Sequence, residues 1–169
     1  LLRQIGIEPD RVIAPEIDET PHKGEPPRAY ARRMALTKLL PGDGFVIAAD
    51  TVVAAGTRIL PKTETPEAAA RCLKLLSGRR HRVYTAVAVR APDGRVAQRA
   101  VGSVVGFTRL DEAAINAYLA TGEWQGKAGG YAIQGQAAGF IDFISGSYSG
   151  VVGLPLYETL GLLRGLGWR

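Results

Sequence analysis

The chain has 169 residues, 46% of them apolar, with a net charge of +5 and one cysteine. That length suits one ordinary domain with a sizeable core. No stretch reaches the roughly 18 apolar residues of a membrane span, and a lone Cys72 excludes an internal disulfide and fits a reducing compartment.

Taken from the start, LLRQIG (Leu1–Gly6) reads as a last helical turn closed by glycine, so further residues are expected ahead of Leu1. Asp10–Ala14 (DRVIA) reads as a short strand, and Pro15–Glu25 as a polar loop carrying Asp18, Glu19, His22 and Glu25. Pro26-Pro27 opens a helix over Arg28–Leu40, since proline suits the first helical turn, and Pro41-Gly42 closes it. Phe45–Ala49 is an apolar strand that climbs to Asp50, and Thr51–Ala55 resumes it. Gly56-Thr57 then turns the chain into Arg58–Leu60.

Thr65-Pro66-Glu67 starts a helix that runs to Leu76: a hydroxyl cap, a proline, then an acid near the positive end. Arg82–Arg90 alternates as a strand, Pro92-Asp93-Gly94 makes a hairpin turn, and Arg95–Phe107 returns. Asp111 caps a helix ending near Ala120. Gly129–Gly139 is rich in glycine and amides, Phe140–Ile144 is a further strand, and Pro155 begins a last helix ending near Leu163. Strands and helices mixed in this way predict an α/β domain around a mixed sheet, with its site at strand ends and loops.

The residues that carry chemistry centre on Asp50. A buried lone carboxylate is costly, so an acid at the end of an apolar strand points to a place where cations or reacting protons meet it. The plain alternative is an Asp that opens a turn. Glu19 and Asp50, if they meet, suit a hard divalent cation such as Mg²⁺ or Mn²⁺, which takes one or two carboxylates together with substrate phosphates. Lys38, Lys62 and Lys127 can meet phosphate oxygens as point charges; each alone also suits a solvated surface.

Gly122–Gly135 (GEWQGKAGGYAIQG) combines Lys127 and Gln134 with glycines that permit close backbone approach to a ligand. His81 has no second histidine at metal spacing and reads as a hydrogen-bonded structural residue, and Cys72 as a core thiol. There is no GxxxxGK[ST] loop and no nucleophile elbow. The dispersed basic residues leave nucleic acid as a less favoured partner than a small polyanion.

Six segments in order resemble the Maf family of nucleoside triphosphate pyrophosphatases: IDET (Ile17–Thr20), YARRMALTK (Tyr30–Lys38), AADTVV (Ala48–Val53), LSGRRHRVYTAVAV (Leu76–Val89), KAGGYAIQG (Lys127–Gly135) and GSYSGVVGLPLYET (Gly146–Thr159). The resemblance implies one Maf/ITPase-like domain over residues 1–169, with an elongated sheet and a cleft between two lobes. It implies hydrolysis of dTTP and UTP between the α and β phosphates, a divalent metal, a cytoplasmic setting and pairing as a homodimer. Asp50 matches the family's proton acceptor, Glu19 its second acid, and Lys38 and Lys62 its phosphate-binding lysines. Thr51 and Gln134 match positions associated with the dTTP/UTP subgroup.

Three departures stand out. The family's SxSPRR loop is not in this sequence and is expected to precede Leu1. The stretch between Lys38 and Asp50 is shorter than usual. Thr63 follows Lys62 where proline is common. A house-cleaning pyrophosphatase for modified purine nucleotides and a non-catalytic nucleic-acid-binding module are the competing readings.

Overall fold

A computed structural model describes residues 1–169. A short 3₁₀ turn at Leu2–Ile5, closed by Gly6, leads into a segment without regular secondary structure. Then follow α1 (Pro27–Thr37), β1 (Val46–Ala55), β2 (Arg58–Leu60), α2 (Pro66–Leu76), β3 (Arg80–Arg90), β4 (Val96–Phe107) and α3 (Glu112–Ala120). A 3₁₀ turn at Gln136–Phe140 precedes β5 (Ile141–Ser145), α4 (Tyr148–Val152) and α5 (Leu156–Gly165). Local chemistry explains the helix starts: the Thr65 hydroxyl accepts from the Ala68 amide at 3.2 Å, and the Asp111 carboxylate from the Ala114 amide at 2.7 Å.

The five strands form one sheet in the order β2-β1-β3-β4-β5. The α/β class holds, but the sheet is antiparallel at every pairing where a mixed one was expected. The reason lies in the α2 crossover. It links β2 and β3, which run in the same direction, yet β1 lies between them and pairs antiparallel to both.

Side-chain alternation gives the sheet two faces. Ala86 and Ala88 meet Tyr30, Ala31 and Met34 of α1 together with Ala48 and Val52. On the other face Val87 and Val89 pack under Leu162 and Leu163 of α5, while Val83 and Val105 join Leu73, Leu76 and Tyr118 of α2 and α3. The core beneath α1 and the core beneath α2 and α3 flank the edge of β1, and the candidate site lies there.

Three further expectations need correction. Asp10–Ala14 is not a strand: it pairs with no strand of the sheet, leaving Val12 and Ile13 exposed, and strand composition without a backbone partner makes no strand. Asp50 does not end a strand but sits inside β1, opposite Ala86, with Thr51 opposite Thr85. The helix expected to reach Leu40 stops at Thr37, with Lys38 as its C-cap. The five-residue α4, capped by Ser147, was not foreseen. No helix is long and apolar enough to cross a membrane.

Candidate active site

β2 is only three residues long, and it pairs with β1 no further than Val53. The edge of β1 from Val46 to Val52 is therefore unpaired on that side. Asp50 lies on this edge and is buried, its side chain 6% exposed. It needs a cation, and helix α1 supplies one: Lys38 Nζ donates to Asp50 Oδ1 at 2.5 Å. The same ammonium lies 2.6 Å from Glu19 Oε1, and Lys62 Nζ lies 2.5 Å from Glu19 Oε2. The result is a chain of alternating charge, Asp50–Lys38–Glu19–Lys62. Exposure rises along it, from 6% at Asp50 and 16% at Lys38 to 33% at Glu19 and 44% at Lys62, so the outer lysine is the one placed to meet a ligand.

Glu19 reaches this position because its loop is strapped to α1. The Tyr30 hydroxyl donates to the Glu19 carbonyl at 2.6 Å. Arg33 donates to both oxygens of Glu25, at 2.8 and 2.7 Å, and to the Thr20 carbonyl at 3.1 Å. The Arg33 hydrogen bonds to its carboxylate, helped by the His22 amide at 3.0 Å, pull the Glu25 pKa down to about 2. Tyr30, Arg33 and Glu25 were missed as site residues. Their one signal was position: Tyr30 and Arg33 stand three apart on a helix that follows directly after an acidic loop.

Lys62 is fixed from the other direction. It bridges to Ala128, while the Thr63 amide donates to the Lys127 carbonyl at 3.1 Å and the Thr63 hydroxyl to the Trp124 carbonyl at 2.7 Å. The fully buried Thr63 is thus the anchor of the Lys62 segment. Gly129 completes the join. Its φ is +69°, and a Cβ there would lie 2.8 Å from Val53 Cγ1, so only glycine lets the loop close against β1.

Two cavities, of about 270 and 250 Å³, meet at Asp50, Thr51, Lys62 and Ala128. Glu19, Tyr30 and Ile59 line the first; Lys38, Lys127, Tyr131 and Gln134 line the second. The structure therefore brings all seven candidates together: Glu19, Lys38, Asp50, Thr51, Lys62, Lys127 and Gln134 line this paired cleft. His81 stands apart from it, buried, with Nε2 2.8 Å from the Tyr131 hydroxyl. Burial lowers its pKa to about 4, in keeping with a neutral structural histidine. Cys72 is buried in the core under α2, as expected.

The Asp50 pKa is raised: burial outweighs the hydrogen bond and charge of Lys38. Lys38 is also shifted upward. Burial opposes its charge, but Asp50 and Glu19 together overcome that. Glu19, less buried, goes below its ordinary value because Lys38 and Lys62 overcome its desolvation. The inner acid is thus the stronger base and the outer one the more firmly ionised.

The donor set fits a hard divalent cation. Two carboxylates converge on the single Lys38 ammonium, and magnesium takes one or two carboxylates with its other ligands from water and phosphate. No group of three or more His, Cys, Asp or Glu side chains is positioned to hold a metal by itself, so substrate oxygens would complete the set.

At the edge of an antiparallel α/β sheet, two acids and several lysines meet in one cleft, a setting whose cations suit a small anionic ligand. The chain belongs to the Maf-like protein family, whose model matches residues 1–166. A dTTP/UTP pyrophosphatase of Caulobacter vibrioides is 59% identical over 175 aligned residues, spanning 100% of this chain and 90% of that protein. Similar proteins of the same name occur in Novosphingobium aromaticivorans, at 55% identity over 99% of this chain and 86% of the relative, and in Mesorhizobium japonicum, at 51% over 100% and 86%.

Proposed function

We propose that this protein is a nucleotide pyrophosphatase that hydrolyses dTTP and UTP between the α and β phosphates, releasing the monophosphate and pyrophosphate. The observation that carries the reading is the Asp50–Lys38–Glu19–Lys62 charge chain at the cleft, in a chain more than half identical along its length to proteins named dTTP/UTP pyrophosphatase.

Asp50 orients the attacking water and accepts its proton. Lys38 and Lys62 exchange their carboxylate partners for phosphate oxygens and stabilise charge on the leaving pyrophosphate. Lys127 adds a further cation at the cleft mouth. Glu19 and Asp50 would hold a divalent cation. Such an ion, when bound, offsets triphosphate charge and acidifies a bound water. Gln134, exposed on the cavity wall, offers its amide N–H to a carbonyl of the imide edge of uracil or thymine. Residues 1–169 belong to a single domain in this reading. A cytoplasmic setting and a homodimer belong to the same proposal, supported by the free thiol of Cys72 and the family resemblance.

A nucleotide panel with Mg²⁺ or Mn²⁺ tests it. UTP and dTTP should yield pyrophosphate and monophosphate, faster than inosine triphosphate does. Release of single phosphate, or a preference for the purine, would overturn the assignment.

A further inference from the structure

Thr51 and Thr85 face each other across β1 and β3. Their hydroxyl oxygens are 2.9 Å apart, and either could donate by that distance alone. The next contact decides it. Thr85 Oγ1 lies 2.6 Å from the carbonyl oxygen of Gly150 in α4, and a carbonyl only accepts. Thr85 has one hydroxyl hydrogen, and it goes to Gly150. Were it turned to Thr51 instead, two unprotonated oxygens would meet at 2.6 Å in a residue that is 1% exposed. Thr51 must therefore donate to Thr85.

The consequence reaches the cleft, because Thr51 lines both cavities. With its hydrogen committed inward, Thr51 Oγ1 can only accept from a ligand. Lys38, Lys62 and Lys127 line the second cavity beside Val53, Tyr131, Ile133 and Val151, so it offers cations to phosphates and, next to them, an apolar surface to a base. We propose that Thr85 is a specificity-determining positioning residue: it locks Thr51 as an acceptor for the imide N–H of uracil or thymine. Cytosine presents an unprotonated ring nitrogen at that place, so acceptor would face acceptor. This rests on the nucleotide reading above and deepens it, since it makes the polarity of one hydroxyl the filter between UTP and CTP.

The test compares kcat/KM for UTP and CTP in the wild type, Thr85→Val, Thr85→Ser and Thr51→Val. Valine at 85 keeps the shape but frees the Thr51 hydroxyl to donate. The UTP-to-CTP ratio should fall by about tenfold, the worth of one well-made hydrogen bond. Thr85→Ser restores the relay and should keep the wild-type ratio, which loss of packing alone would not predict. Thr51→Val leaves Thr85 bonded to Gly150, removes the acceptor and should lower the ratio similarly. It decides the matter if Thr85→Val does not fold.

A wild-type ratio retained in Thr51→Val, with both nucleotides slowed equally, would mean that Thr51 meets a ribose hydroxyl, and the proposal fails. It also fails if Thr85→Ser loses the ratio, or if the wild type treats UTP and CTP alike while still releasing pyrophosphate. Failure of the underlying function looks different: the wild type would not cleave UTP to UMP at all.

Discussion

The ammonium of Lys38 and the carboxylate of Asp50 meet at 2.5 Å although a helix end and a turn separate them in the chain. α1 stops at Thr37, so Lys38 leaves the helix just where β1 passes beneath it. Helix end and strand edge are held in register by the core of Met34, Ala35, Ala48 and Val52. The pair is thus a product of packing, and its energetics follow from burial.

Removing Lys38 strands a buried carboxylate. Breaking a buried pair from one side typically costs about 3–5 kcal/mol. Lys38→Met should lower unfolding stability by a few kcal/mol, softened by partial protonation of Asp50. The double variant Lys38→Met/Asp50→Leu should recover much of that loss. Urea denaturation of the single and double variants decides it; strictly additive losses would show that the two groups are not coupled.

Asp50→Asn keeps size and shape while removing the base. Turnover should fall roughly 10²–10³-fold, the scale of other single electrostatic deletions. Steady-state release of pyrophosphate measures this, with folding verified by circular dichroism. Near-normal turnover would take Asp50 out of the reaction.

Tyr30→Phe cuts the 2.6 Å hydrogen bond that holds the Glu19 carbonyl. Stability should change by about 1 kcal/mol, the net worth of such a bond. A larger effect is expected on KM for the nucleotide, because the loop that carries Glu19 loses one of its ties to α1. An unchanged KM would separate the Glu19 loop from substrate binding.

Acid should weaken the fold through His81. Its pKa falls from 6.5 to about 4 on folding because burial disfavours the imidazolium. A depressed pKa of this kind gives stability that is complete above 6.5 and lost as pH drops through about 4. The linked change is roughly 3 kcal/mol across that window. His81→Phe should flatten stability against pH between those limits; an unaltered slope would assign the acid sensitivity elsewhere.

Much of this arrangement was legible before the structure. Asp50, Lys38 and Lys62 stood out because charged residues punctuate apolar or helical runs, and proline, glycine and Asp or Thr caps marked most element ends. Three things were not legible. DRVIA has strand composition, but a strand needs a partner edge, which composition does not reveal. Pairing direction depends on β1 lying between β2 and β3, a long-range choice. The upward shift of Asp50 could not be read because burial and the Lys38 charge pull oppositely, and only coordinates say which is larger. Thr85 and Thr63 look like ordinary strand and loop residues; their roles arise from single hydrogen bonds to Gly150 and Trp124.

Hydrolysis of UTP in ¹⁸O-labelled water, with mass analysis of both products, bears most directly on the proposed reaction at Asp50. Attack at the α-phosphorus places one heavy oxygen in UMP and none in pyrophosphate, at a rate that collapses in Asp50→Asn. Heavy oxygen in the pyrophosphate, or liberation of single phosphate from the γ end, would contradict it.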